Sequence, residues 1–200
     1  MNIGIDIDDT ISNTYEYLFP YAQKYTIDEL NKEIKDVNRD AITHMYTTTF
    51  HNWTKEQEKE FFIKYYEKII KQVKPKLYAV DIIKKLQEEG HKIYLITARF
   101  QMDNFDVESG TKKWLKDNNI QYDEFIMNAE DKVKVATENN IDIFIDDAIK
   151  NCANMAEAGI KTFIMDSIIN LNYQNDKLTR VYSWPHLYQE ILNLNYIQLI

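Results

Sequence analysis

The chain carries a single cysteine, Cys152, in 200 residues. A lone thiol closes no internal disulfide and has no Cys-x-x-Cys partner for zinc, which agrees with a reducing compartment. Cys152 is therefore expected as a small buried residue. Basic residues are also in deficit, 24 Lys and Arg against 32 Asp and Glu, and the net charge of −8 argues against a nucleic-acid backbone as partner. No apolar run approaches the roughly 20 residues of a membrane helix, and the N-terminus has neither the basic region nor the apolar core of a signal segment. A cytoplasmic protein without a membrane partner is expected. There is no internal repeat and no low-complexity linker. What is present is 44% apolar content and 13% aromatics, enough for the core of one domain or of a domain with an insertion.

The most informative stretch is the first one. Ile3, Ile5 and Ile7 alternate with Asn2, Gly4 and Asp6, as in a β-strand, with Gly4 counting against it. Asp6 and Asp8 share a parity, so a strand reaching that far sets two carboxylates close together on one side. Such a pair repels unless a cation, a shared proton or open water relieves it. A solvated turn rich in Asp, Thr, Ser and Asn is the simpler alternative.

Residues 14–74 contain nothing that resembles a core strand. Thr14 to Tyr25 is aromatic-rich and crosses Pro20, which predicts one kinked helix or two short ones. Ile27, Leu30, Ile34 and Val37 have weak helical spacing, and 39–53 reads as loop with a short helix at most. Thr54-Lys55-Glu56-Gln57 is a capping box, opening a helix whose Phe61, Phe62, Tyr65, Tyr66, Ile69, Ile70 and Val73 recur at three and four and which stops before Pro75. The whole is read as a helical insertion, a small cap over 14–74, in a core made of 1–13 and 75–200. From Leu77 the rhythm changes to alternating helices and strands. Strands are expected at Lys92–Ile96, Glu124–Met127, Ile141–Ile145, Lys161–Met165 and Val181–Tyr182. The helix carrying Trp114 is expected to follow an acidic loop that runs to about Gly110. The pattern predicts an α/β fold, a Rossmann-like parallel sheet with helices on both faces.

Parallel strands share a direction, so their carboxyl ends line one edge. Asp6 and Asp8 follow the first strand, Thr97 the second, and Asp146 with Asp147 a later one. Clustered hard oxygen ligands suit Mg²⁺. A hydroxyl at Thr97, with backbone N–H groups such as that of Ala98 beside it, could hold a phosphoryl oxygen. Asp131 is a plausible N-cap that puts Lys132 in the first helical turn, where the dipole opposes a cation and something negative must compensate. Lys134 lies about 200° around the same helix, so only one of the two lysines can face the site.

Taken together, Asp-Ile-Asp-Asp-Thr at 6–10, Thr97, Lys132 and Asp146-Asp147 resemble the four motifs of the haloacid dehalogenase-like phosphohydrolases. Ile-Thr-Ala-Arg at 96–99, the spacing of Lys132 to Ile-Asp-Asp and the helical insertion are most similar to the 5′(3′)-deoxyribonucleotidase-like group. The resemblance implies Asp6 as nucleophile through an aspartyl-phosphate and Asp8 as the acid and then the base. It implies Mg²⁺ between Asp6, the Asp8 carbonyl and Asp146, with Asp147 close by, and Thr97, Ala98 and Lys132 on the phosphoryl oxygens. Asp9 stands where relatives often carry glycine. Tyr15, Tyr17, Phe19 and Trp53 are candidates for stacking on a base, or else core residues. Arg99 either reaches the substrate or pairs with the acidic loop after it. The expected partner is a small phosphorylated substrate, a nucleoside monophosphate first and a phosphosugar second. A signalling receiver domain orders its acids and lysine differently, and intact Asp6, Asp8 and Asp146 speak against an inert relative.

Overall fold

A computed structural model describes residues 1–33 and 53–197. Its centre is a six-stranded parallel sheet in the order β3-β2-β1-β4-β5-β6, with β1 at Asn2–Ile5, β2 at Lys92–Ile96, β3 at Glu124–Ile126, β4 at Ile143–Asp146, β5 at Lys161–Met165 and β6 at Thr179–Val181. Seven α-helices accompany it among the described residues: α1 Thr14–Lys24, α2 Lys55–Gln72, α3 Ala79–Glu88, α4 Val107–Asp117, α5 Lys132–Glu138, α6 Ile149–Glu157 and α7 Trp184–Ile197. The chain winds outward from β1 through β2 and β3, then returns to add β4 on β1's other side, so the strand order reverses between β1 and β4. In such sheets a crevice opens beyond the carboxyl ends at the reversal.

Alternation decides which side chains cover which face. Ile3 and Ile5 pair in register with Ile93, Leu95, Ile143 and Ile145. These odd-numbered residues pack with Ile83 and Leu86 of α3, Trp114 and Leu115 of α4, and Trp184 and Leu187 of α7. The even-numbered Ile96 and Phe144 form the opposite face with Ala136 of α5 and Met155 of α6. Burial on both faces gives these strands their nearly continuous apolar runs. Gly4, which counted against a strand, is required by the second face: a Cβ there would lie 2.8 Å from the Phe144 ring. Cys152 is fully buried, as expected.

The capping box is formed. The Thr54 hydroxyl accepts from the Gln57 N–H at 3.2 Å, and the Gln57 side chain accepts from the Thr54 N–H at 3.0 Å. α1 passes through Pro20 as one helix and closes on a π-helical turn at Tyr25–Glu29. The α1–α2 pair has its own apolar cluster of Leu18, Ala22, Tyr25, Trp53, Phe61, Tyr65 and Ile69. Its entry and exit are tied together, because the Asn13 N–H donates to the Lys74 carbonyl at 2.9 Å and the Lys76 N–H to the Ile11 carbonyl at 2.7 Å.

Two expectations change. Gly110 lies inside α4 and is not its boundary; Asp106 caps that helix through the Ser109 N–H at 3.0 Å, and a Cβ on Gly110 would lie 2.3 Å from the Phe105 ring. Some strand bounds also shift: β3 ends at Ile126 without Met127, β4 runs from Ile143 to Asp146 where Ile141 to Ile145 is expected, and the last strand covers Thr179–Val181 without Tyr182. Ile34, Val37, His44 and the stretch 39–52 lie outside the described residues.

Candidate active site

Asp6 follows β1 directly, and its N–H still bonds the Ile145 carbonyl at 2.9 Å, which fixes it beside the end of β4 at the strand reversal. Asp146 is the last residue of β4. Lys132, first residue of α5 after the Asp131 cap, reaches both: its Nζ lies 2.5 Å from Asp6 Oδ1 and 2.7 Å from Asp146 Oδ2. The negative charge that the helix dipole demanded is thus two carboxylates. Lys134 points away, exposed, toward Glu138.

The three acids Asp6, Asp146 and Asp147 bring ligand oxygens within 4.8 Å of one another, all buried. Asp146 is further held by the Ala148 N–H at 2.8 Å and the Asn151 amide at 2.9 Å. Asp147 Oδ2 is buried with no hydrogen-bond partner among the described residues. Burial first, then the charges of Asp146, Asp9 and Asp6, drive the Asp147 carboxyl well above the ordinary carboxylate range. Asp6 is pushed up to about 7, chiefly by burial, with Lys132 pulling the other way. Three buried carboxylates with an orphaned oxygen fit a hard divalent cation, which would draw these groups back to their charged form. Asp9 closes the turn at a positive φ of 52°, a left-handed conformation in which glycine is at ease and Asp is tolerated.

Asp8 turns away from this cluster. Arg99 grips it with two prongs, Nε to Oδ2 at 2.8 Å and NH2 to Oδ1 at 2.7 Å, and the Thr14 hydroxyl donates to Oδ1 at 2.7 Å. Burial alone would raise the Asp8 carboxyl, but the charge and hydrogen bonds of Arg99, then Thr14, outweigh it and hold Asp8 below the usual range. Asp6 and Asp8 thus carry opposite shifts: burial raises both, the Arg99 fork outweighs it at Asp8, and Lys132, shared with Asp146, does not outweigh it at Asp6. Arg99, a candidate for the substrate or for the acidic loop after it, pairs with Asp8 and lines the same cleft. Thr97 is buried at the end of β2, where its hydroxyl accepts from the Arg99 N–H at 3.2 Å, and Ala98 beside it is exposed at the cleft.

These residues line a cleft of about 440 Å³, a volume suited to a small ligand. Asp6, Asp8, Thr97, Ala98, Arg99, Lys132, Asp146 and Asp147 form its floor, and Tyr15, Phe62, Tyr66 and Phe100 are its aromatic side chains. Of the four aromatic candidates the fold brings only Tyr15 to the cleft. Trp53 sits in the α1–α2 core, edge-on to Tyr25 and donating to the Thr26 hydroxyl at 3.0 Å. Tyr17 packs between the two apolar clusters, and Phe19 lies behind Tyr15 at a ring distance of 5.7 Å. Phe62 and Tyr66 recur at three and four with Phe61, Tyr65 and Ile69, yet they are half-buried and line the cleft. The signal was their spacing: they form a stripe four residues apart beside the buried stripe of Phe61, Tyr65 and Ile69, making a face too wide for one packing partner.

Comparison with known proteins agrees with this geometry. Residues 1–196 match the family model described as 5′ nucleotidase, deoxy (pyrimidine), cytosolic type C protein (NT5C). A nucleotidase of Clostridium acetobutylicum is 30% identical over 94% of this chain and 92% of its own length. Among solved structures, a haloacid dehalogenase-like hydrolase from Streptococcus pneumoniae superposes with a TM-score of 0.68 at 18% identity, covering 96% of this chain and 97% of that one. A hydrolase from Pseudomonas syringae superposes at 0.60 and 17%, covering 96% and 97%.

Proposed function

The chain belongs to the type C 5′ nucleotidase family of haloacid dehalogenase-like phosphohydrolases and is a phosphoric monoester hydrolase, and on that premise we propose that it hydrolyses nucleoside monophosphates with Mg²⁺ through an aspartyl-phosphate on Asp6. The observation that carries the reading is one cleft with two unlike walls: clustered carboxylates and a buried lysine below, aromatic rings from α1 and α2 above. A phosphate would meet the first and a base the second. In this reading 14–74 is a cap over a core of 1–13 and 75–200, and the enzyme works in the cytoplasm. Among the described residues no helix is long and apolar enough to cross a membrane.

Asp6, Asp146, Asp147 and the Asp8 carbonyl would hold the cation. When bound it supplies positive charge that lets a carboxylate approach a phosphate. Asp6 attacks phosphorus and the ester bond breaks; Asp8, ionised at rest beside Arg99, takes up the proton of the monoanionic phosphate ester as it binds and passes it to the leaving oxygen. Water then attacks the acyl phosphate, giving its proton back to Asp8 and freeing Asp6. Lys132, Thr97 and the backbone at Ala98 stabilise the phosphoryl oxygens as charge builds on them.

The test is phosphate release from ribo- and deoxyribonucleoside monophosphates and from sugar phosphates, with Mg²⁺ and with chelator. Metal-dependent release concentrated on nucleotides is expected. Preference for sugar phosphates would remove the nucleotide reading and keep the chemistry; release unaffected by chelator would remove the metal.

A further inference from the structure

The two oxygens of Asp8 are not equivalent, and the difference singles out Arg99. Oδ1 accepts two hydrogen bonds, from Thr14 and Arg99 NH2, whereas Oδ2 accepts one, from Arg99 Nε. A carboxylate oxygen has about two acceptor sites, so Oδ1 is saturated and Oδ2 keeps one. The Asp8 side chain remains 31% exposed, while that of Arg99 is 1% exposed and anchored from behind by its NH1 bond to the Thr111 hydroxyl of α4 at 3.0 Å. Each of the three guanidinium nitrogens thus makes a hydrogen bond to the protein. The fork comes from β2's end and its anchor from a helix outside the four motifs.

Resting on the phosphohydrolase mechanism above, we infer that Arg99 is a positioning residue for Asp8: its fork, braced by Thr111, fixes the carboxyl so that Oδ2 alone exchanges protons. Oδ2 delivers the proton to the leaving alcohol as the ester bond breaks and the bond to Asp6 forms. The same oxygen takes a proton from the water that releases phosphate from Asp6. Arg99 does not bind the substrate. Lysine cannot replace it, since an ammonium offers no planar fork.

The test uses Arg99→Gln and Arg99→Lys on a nucleoside monophosphate and on p-nitrophenyl phosphate, whose leaving group departs without a proton. For the nucleotide, kcat is expected to fall about 10²-fold with KM within about threefold. For p-nitrophenyl phosphate the fall should be smaller, about tenfold, because only the water step needs Asp8. On an Asp8→Asn background the Arg99 substitutions should cost less than about threefold, since the group being positioned is gone. A rise in KM with kcat preserved would overturn the inference by making Arg99 a substrate-binding residue. Equal losses on both substrates, or full additivity with Asp8→Asn, would overturn it in favour of a structural role. If Arg99→Gln does not fold, Arg99→Lys read the same way decides. A wild-type protein that releases phosphate from neither compound would overturn the phosphatase reading itself, and this inference with it.

Discussion

The floor of the cleft and its roof are held in place by different physics. On the floor most charged side chains have a named polar partner: Lys132 bridges Asp6 and Asp146, and Arg99 with Thr14 fixes Asp8, the exception being the orphaned Oδ2 of Asp147. On the roof, Phe62 and Tyr66 have no such partners among the described residues and are set by the rings behind them, Phe61 against Trp53 at 4.8 Å and against Tyr65 at 5.3 Å. Charged groups in a buried site require specific counterparts, because an unpaired one is costly, so the floor is built by pairwise rules. Rings are held by shape and area, so the roof depends on which face of a helix is turned inward. The floor should therefore lose chemistry when altered and keep its fold, and the roof's supports should do the reverse.

The largest expected effect breaks the floor alone. Asp6→Asn should lower kcat by about 10⁴-fold or more while circular dichroism and the melting temperature show a folded protein. Next comes the roof's support. Phe61→Asp should destabilise the α1–α2 pair by about 3–5 kcal/mol in urea unfolding, since it puts a carboxylate into a fully buried aromatic site. Phe62→Asp, one residue on, should change stability by no more than about 1 kcal/mol and should act instead on KM for nucleotides. That pair sharpens the comparison, because adjacent residues of one helix are assigned to support and to surface.

A smaller effect follows from the floor's protonation. Asp6 and Asp9 are both raised to about 7, each chiefly by burial, and Asp147 is raised as well. A carboxyl raised in the folded state stabilises it at pH below the ordinary carboxylate range, and that stability is lost as pH rises through about 7. The melting temperature of chelated protein should thus fall between about pH 4 and pH 8, and Mg²⁺ should flatten the fall because it favours the charged carboxylates. A melting temperature that rises over this range would reverse the sign of the assignment.

The smallest expected effect lies at the margin of the floor. Asn170, from the loop after β5, donates to the Asp147 carbonyl at 2.7 Å and to the Met165 carbonyl at 2.8 Å, and accepts from Arg180 at 2.6 Å. Asn170→Ala should weaken the Mg²⁺-induced rise in melting temperature, corresponding to a roughly tenfold loss of metal affinity. An unchanged rise would mean that Asp147 is positioned without that loop.

Much of this was legible before folding was considered. Alternation at Ile3, Ile5 and Ile7 placed β1, the runs at Lys92–Ile96 and Lys161–Met165 matched their strands residue for residue, and Thr54 with Gln57 marked the start of α2. These signals are local, a period of two or a cap four residues long, and local signals survive in a one-dimensional string. Convergence of Asp6, Thr97 and Asp146 also followed from strand direction, whereas Lys132 was read from its place in the first turn of a helix. The partner of Arg99 was not legible, because Asp8 lies 91 residues away and the pairing exists only once β1 and β2 are neighbours. Nor was the role of Gly4, which depends on Phe144 arriving across the sheet, or the split of α2 into a buried stripe and a cleft stripe. By itself the sequence determined the element pattern and the acids, since these rest on residue type and short spacing, and the reaction class came through the resemblance of its motifs to a known family. Only the tertiary structure decided which cation holds which carboxylate and which aromatic rings meet the cleft, because those depend on contacts between segments that are distant along the chain.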